Sequence, residues 1–275
     1  MRRTFVIEIG PEPQRFSAAL REVWNARPLL GYFLARDLKG RYRGTLLGNW
    51  WIMVRPLVEL LPYMIVFGLF LRLGPDHVPY VIYLLSGFAP WLLFGNTLNA
   101  APATLTRSRS LVSKVYFPRL IVPLSDLLVR SVDFGIVLAA VVVASIVFGL
   151  VPVAHIWALP VFVVLLLLLA LGAALLVTTI CTLQADLGHG VPAGTRLLFY
   201  LSPIVYPLSI IPDGLRPVYD LNPLTTVVSG IRWSLFGIDQ PSAINVGVAG
   251  AVALAAVWLG LYVFLRIDRR LTDLL

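Results

Sequence analysis

Ionisable side chains are scarce in the apolar runs of this chain, and the few present set the first chemical question. Arg55 and Glu59 stand i, i+4 in "WWIMVRPLVELLPYMIVFGLFLR" (50–72), with Pro56 and Pro62 on either side of the glutamate. Asp126, Arg130 and Asp133 follow at i, i+4, i+7, one helical stripe of alternating sign. A charge at the bilayer centre costs about 2.5–3.5 kcal/mol on insertion scales, so such groups face protein, water or a partner. Both sets lie within the first turns of their runs. Ion pairing is therefore the reading for each, with partner contact as the alternative for the second. A proton relay would need acids at the midplane.

Devices for covalent or metal chemistry are missing from the sequence. It holds no Gly-x-x-x-x-Gly-Lys-Ser/Thr loop, no His-Glu-x-x-His and no Gly-x-Ser-x-Gly. His77, His155 and His189 fall in three separate loops, and Cys181 is the single cysteine. Neither a metal site nor a disulfide framework is expected. The expectation is a chain with no catalytic residue and no cofactor of its own.

The elements that must position these residues follow from composition. The chain has 275 residues, 59% hydrophobic and 13% charged, with a mean hydropathy of +0.86. Globular proteins are about a quarter charged, so the expectation is a single all-α membrane domain over 1–275. It divides into a cytoplasmic arm (1–49), a bundle (50–266) and a cytoplasmic tail (267–275). The net charge of +8 is assigned to anionic headgroups and topology rather than to nucleic acid. The first apolar run stops at Glu8, which argues against a cleaved signal peptide.

Seven apolar stretches compete as spans: 50–71, 80–104, 123–150, 156–184, 196–212, 224–238 and 246–266. A helix needs about 20 residues to cross the hydrocarbon, and "LTTVVSGIRWSLFGI" (224–238) is short and holds Arg232. Leaving it out gives six crossings with both termini cytoplasmic. That topology puts 19 of the 22 basic residues inside, leaving Arg72, Arg216 and Arg232 outside, as the positive-inside rule requires. The stretch 224–238 is then expected to be re-entrant at the outer face. The preceding "LSPIVYPLSIIPDGLRPVYDLNP" is broken by Pro203, Pro207, Pro212, Pro217 and Pro223, each lacking an amide donor. Asn222-Pro223 reads as a helix N-cap and first residue.

Two further elements do not cross. In "RPLLGYFLARDLKGRYRG", Leu30, Leu34, Leu38 and Tyr42 recur every four residues beside Phe33, while Arg36, Lys39 and Arg43 take another face. That pattern predicts an amphipathic helix lying in the cytoplasmic interface, touching membrane lipids, with Trp50 and Trp51 at the entry of the first span. The second is "LTRSRSLVSKVYFPRLIVPL" (105–124), basic, without an acid, and carrying an apolar strip of Leu111, Val112, Val115 and Tyr116. A bare connection needs only a few polar residues, so this helix is expected to meet a soluble partner.

The sequence stretches "RDLKGRYRGTLLGNWWIMVRPL", "LLSGFAPWLLFGNTL", "LVSKVYFPRLIVPLS" and "YLSPIVYPLSIIPDGLRPVYDLNPLTTVVSGIRW" together resemble the permease subunits of polysaccharide-exporting ABC transporters. The matches are collinear over most of the chain. The resemblance implies a homodimer joined by two copies of an ATP-binding cassette subunit, which binds ATP and Mg. It implies export of a lipid-linked glycan (O-antigen, teichoic acid, capsule or wall glycan) across the bacterial inner membrane, through a channel between the permeases. Carried onto this sequence, the segment 105–124 holds a coupling helix, with Ser110 to Tyr116, including Leu111 and Val115, as the docking turn and Arg107 and Lys114 as charged contacts. Arg36, Lys39 and Arg43 become candidates for the lipid pyrophosphate. A pore that lets sugar slide needs aromatic faces and hydroxyls, for which Tyr63, Phe67, Phe94, Phe199, Tyr200 and Tyr206 are the candidates. Tyr219, Asn222 and Trp233 are candidates for an external gate. Two other readings stay open: an ABC exporter of small lipophilic compounds, and an ion-coupled transporter that needs no ATPase.

Overall fold

A computed structural model describes residues 16–41, 48–75, 78–107, 118–150 and 155–267, and these are helical, with no strand among them. Ser110, Leu111, Lys114, Val115 and Tyr116 of the expected coupling turn lie outside the described residues, as do Arg43 and the tail from 268.

Two helices, α1 (Phe16–Asn25) and α2 (Arg27–Arg41), lead to α3 (Trp51–Tyr63). Beyond Pro62, α3 continues in wider π-helical turns over Met64–Phe70, where the imino acid has removed one regular donor. Then come α4 (Tyr80–Ala100, prolonged to Arg107), α5 (Ile121–Val147) and α6 (Leu159–Leu183). The chain closes with α7 (Leu187–Tyr200), α8 (Arg216–Leu221), α9 (Pro223–Phe236) and α10 (Ala243–Ile267). Among the described residues five helical stretches are long and apolar enough to cross a membrane: Trp51–Phe70, Tyr80–Arg107, Ile121–Val147, Ile156–Leu183 and Ala243–Ile267. They coincide with five of the expected runs.

The run expected at 196–212 is not one helix. α7 begins earlier, at Leu187, and stops at Tyr200, just before Pro203 and Pro207. Apolar sequence continues to Pro212 while the backbone donors do not, so hydropathy extends further than the helix. At 14 residues, α7 reaches only about 21 Å. The six-crossing expectation therefore requires the irregular residues after Tyr200 to complete the passage. α9, also 14 residues, is as short as its sequence implied.

The core sits around α4, in whose apolar window 83% of residues are buried, against 11% in that of α3. α3 thus lies at the margin and presents Leu57, Val58, Leu61, Leu69 and Phe70 outward. α6 and α10 pack most closely, because both carry small residues: a Cβ on Gly172 would fall 2.5 Å from the backbone of Ala256, and one on Gly260 would fall 2.8 Å from the Gly172 oxygen. Backbones can approach that far only where no side chain intervenes. A second apolar cluster gathers Phe33 of α2, Leu105, Ile121, Leu175 and Phe264 where α4, α6 and α10 end and α5 begins. This pins the N-terminal helices to one end of the bundle, the arm end. Phe33 is buried and Leu30 packs beside it, whereas Leu34 and Leu38 are half-buried.

Candidate functional site

Polar chemistry concentrates at the two ends of the bundle. At the arm end, cavities of about 430 and 370 Å³ share Arg107 and Arg130 in their walls. The first lies between α2, the α4 extension and α5, and adds Phe33, Arg36, Asp37, Thr104 and Asp126. The second lies against α3 and adds Trp51, Arg55, Asn96 and Asp133. The i, i+4 spacings produce the expected pairs. Arg55 Nε donates to Glu59 Oε1 at 2.7 Å. Arg130 Nη2 lies 3.5 Å from Asp126 Oδ2, which also accepts from Thr104 Oγ1 at 3.1 Å. Arg36 Nε donates to Asp37 at 2.7 Å and sits 4.8 Å over the Phe33 ring. Arg107 turns back on its own helix and donates to the oxygens of Ala100 (3.0 Å) and Ala103 (3.3 Å). Lys39 is exposed on α2 and lines neither cavity.

The aromatic candidates meet around Phe199 at the end of α7. Its ring lies 5.4 Å from Tyr63, 5.4 Å from Tyr200 and 5.2 Å from Trp91, centroid to centroid. Tyr63 stacks on Phe67 at 6.4 Å, and Trp91 meets Phe94 at 6.3 Å. Phe199 and Phe94 are buried, Tyr63 and Phe67 are half-buried, and Tyr200 is exposed. Of the set, Tyr200 therefore presents most of its ring outward, with Tyr63 and Phe67 beside it.

The opposite end is organised by Arg232, whose side chain is fully buried. Its guanidinium donates to the carbonyls of Pro203 (2.7 Å), Ile204 (2.7 Å) and Tyr83 (3.4 Å). It also lies 3.7 Å from the Tyr83 ring centroid and 3.8 Å from Asp239 Oδ2. The same proline-broken segment is held from other sides. Tyr80 donates to the Val205 oxygen at 2.7 Å, Asn222 Nδ2 to the Leu201 oxygen at 3.1 Å, and Tyr206 to the Tyr200 oxygen. Backbone that leaves helix at membrane depth survives only where its polar groups find partners. Here side chains of α4 and α9, together with Asn222, supply them. Space for the clamp comes from Gly87, where a Cβ would stand 2.6 Å from Arg232 Nη2 and 2.8 Å from the Ile204 oxygen.

The three gate candidates divide. Tyr219 meets the Tyr206 hydroxyl at 3.0 Å, and Asn222 caps α9 by accepting from Leu224 N at 3.0 Å. Trp233 packs elsewhere, 4.6 Å from the His155 ring and 6.5 Å from that of Phe162. Sequence reasoning used Arg232 only as an obstacle to a crossing and missed its role as a donor. The signal was present: one arginine in an apolar helix, after a segment whose carbonyls had no helical partners.

Comparison with known proteins supplies the family. The family model described as "ABC-2 type transporter" matches residues 28–236. Among similar proteins is an O-antigen export system permease protein RfbA of Myxococcus xanthus, 27% identical over 89% of this chain and 94% of that protein. A Klebsiella pneumoniae protein of the same name is 25% identical over 90% and 95%. The polysialic acid transport protein KpsM of Escherichia coli is 20% identical over 83% and 89%. The family match takes in α2 through α9, including both polar ends and the aromatic cluster between them, and the chain belongs to the ABC-2 type transporter family.

Proposed function

We propose that this chain is the permease subunit of an ATP-driven exporter that carries a lipid-linked polysaccharide across the bacterial inner membrane. The observation that carries the reading is collinear similarity, over about nine-tenths of the chain, to permeases named for O-antigen export. The absence of a nucleotide-binding loop from the sequence is in keeping with a transport subunit whose ATP and Mg are bound by a separate cassette subunit. Two permeases and two such subunits form the working unit, with the segment 105–124 as the docking lever and Arg107 and Lys114 as its charged contacts.

The geometry supports a path along α3. This helix is the least buried of the long ones, yet it bears the Arg55–Glu59 pair on an exposed face. Acyl chains are a poor environment for that pair, whereas a water-filled seam between two copies suits it. Tyr63, Phe67 and Tyr200 continue the seam as weak, sliding sugar contacts. Arg36 of the arm-end crevice, with Lys39 and Arg43 of the same arm, receives the pyrophosphate, while α2 lies in the cytoplasmic interface. The chain crosses six times, α7 and residues 201–206 together forming the fifth crossing, and α8 and α9 close the outer mouth. Both termini are then cytoplasmic, and 1–275 is one membrane domain.

Reconstitution in proteoliposomes with the cassette subunit tests this. Lipid-linked glycan should become protected from external glycosidase only with ATP and the partner, and Lys114→Glu should lower that transport at least tenfold. Transport that persists without the cassette subunit, or coupling unchanged in Lys114→Glu, would overturn the reading.

A further inference from the structure

We propose that a polar pocket between α8, α9 and the start of α10 binds a single neutral sugar ring at the outer face. It rests on the topology above, which turns α8 and α9 outward, and extends it by a site separate from the channel. The pocket has a volume of about 290 Å³, at the small end of ordinary ligand sites of about 300–1,000 Å³, which suits one ring and not a chain.

Its wall is unusual for this bundle. Thr225, Thr226 and Ser229 line it with 3%, 2% and 2% exposure, and none of their hydroxyls has a partner. Buried helical hydroxyls elsewhere donate to the carbonyl one turn back: Ser145 to Val141, Thr179 to Leu175 and Ser234 to Gly230, each at 2.7 Å. The three on α9, at i, i+1 and i+4, forgo that bond on residues that line the cavity. Each needs a group that can both donate and accept. Two carboxylates line the same pocket. Asp220 accepts from Asn245 Nδ2 at 3.2 Å, and Asp239 has an Oδ2 with no hydrogen bond, 3.8 Å from Arg232. Asp239 takes φ 58°, a left-handed conformation that aspartate tolerates better than most residues.

A lining that combines hydroxyls with carboxylates and amides matches a polyol, whose OH groups accept from the first and donate to the second. A phosphate or an anionic headgroup would meet two carboxylates, with Arg216 already paired to Asp213 at 3.7 Å. A bare cation would leave the three hydroxyls with little to donate to. The glycerol end of phosphatidylglycerol shares the polyol chemistry, and its charge is what the carboxylates disfavour.

The full chain, purified into phosphatidylcholine nanodiscs, is the test material, with glucose, galactose and mannose as probes in saturation-transfer NMR. At least one hexose should bind with millimolar affinity. Thr226→Val, which keeps shape and removes the hydroxyl, and Ser229→Leu, which fills the space, should each weaken it at least tenfold without lowering the melting temperature. Four outcomes would overturn the proposal: no hexose signal, a signal unchanged in both variants, a calcium signal lost in Asp220→Asn with no hexose signal, or occupancy seen only when phosphatidylglycerol is present. ATPase-dependent export in the absence of hexose binding would remove this pocket alone and leave the exporter reading standing.

Discussion

At the far end of the bundle, Arg232 has no exposed side-chain surface and gives its donors to three neutral backbone oxygens. At the arm end, the Arg55 side chain keeps 68% exposure and pairs with a carboxylate one turn along its own helix. Both arginines interrupt apolar sequence, but the physics differs. A buried guanidinium must spend its donors to offset desolvation, and the broken segment 201–206 provides carbonyls that equally need donors. Each solves the other's problem, so that end is a rigid joint. An exposed i, i+4 pair contributes about 0.3–0.5 kcal/mol, so the arm-end charges hold little together. In the proposed function their placement answers to what passes or docks there.

Removing the clamp should have the largest effect. Arg232→Ala orphans the carbonyls of Pro203 and Ile204, at about 1–3 kcal/mol each, and is expected to abolish a cooperative melt in detergent. Arg232→Lys, which lacks the planar fork, should recover only part of it. A wild-type melt for Arg232→Ala would dissolve the contrast altogether. Next comes Gly87→Val, whose side chain would enter the space of Arg232 Nη2 and the Ile204 oxygen. Overpacking of this kind costs about 1–3 kcal/mol, read as a lowered melting temperature. The smallest stability effect belongs to Arg55→Gln with Glu59→Gln, where a double-mutant cycle should give coupling below about 1 kcal/mol. Export should still fall, since the pair faces the proposed seam. A coupling above about 2 kcal/mol would sharpen the comparison differently, by showing that a second copy dries the pair.

Much of this was legible in the residues. Five long runs became helices because about 20 consecutive apolar residues can satisfy their backbone only that way in lipid. The Arg55–Glu59 and Asp126–Arg130 pairs followed from helical spacing, and Asn222-Pro223 from cap chemistry. Less legible was the stretch from 196 to 212. Its hydropathy reads as one span, yet Pro203 and Pro207 end α7 at Tyr200, because apolarity and helix continuity are separate requirements. The aromatic candidates came from residue type alone, and type could not divide the buried Phe94 and Phe199 from the exposed Tyr200.

By itself the sequence determined class, helix positions and local charge pairs, because these depend on neighbours within one or two turns. Only the tertiary structure decided that Arg232, Tyr80 and Asn222 converge on residues 201–205. It alone decided, too, that three hydroxyl-bearing residues of α9 share a pocket lining with carboxylates from α8 and the loop before α10. Those contacts join residues up to 125 positions apart. Such pairings are set by how helices cross, which no local spacing encodes.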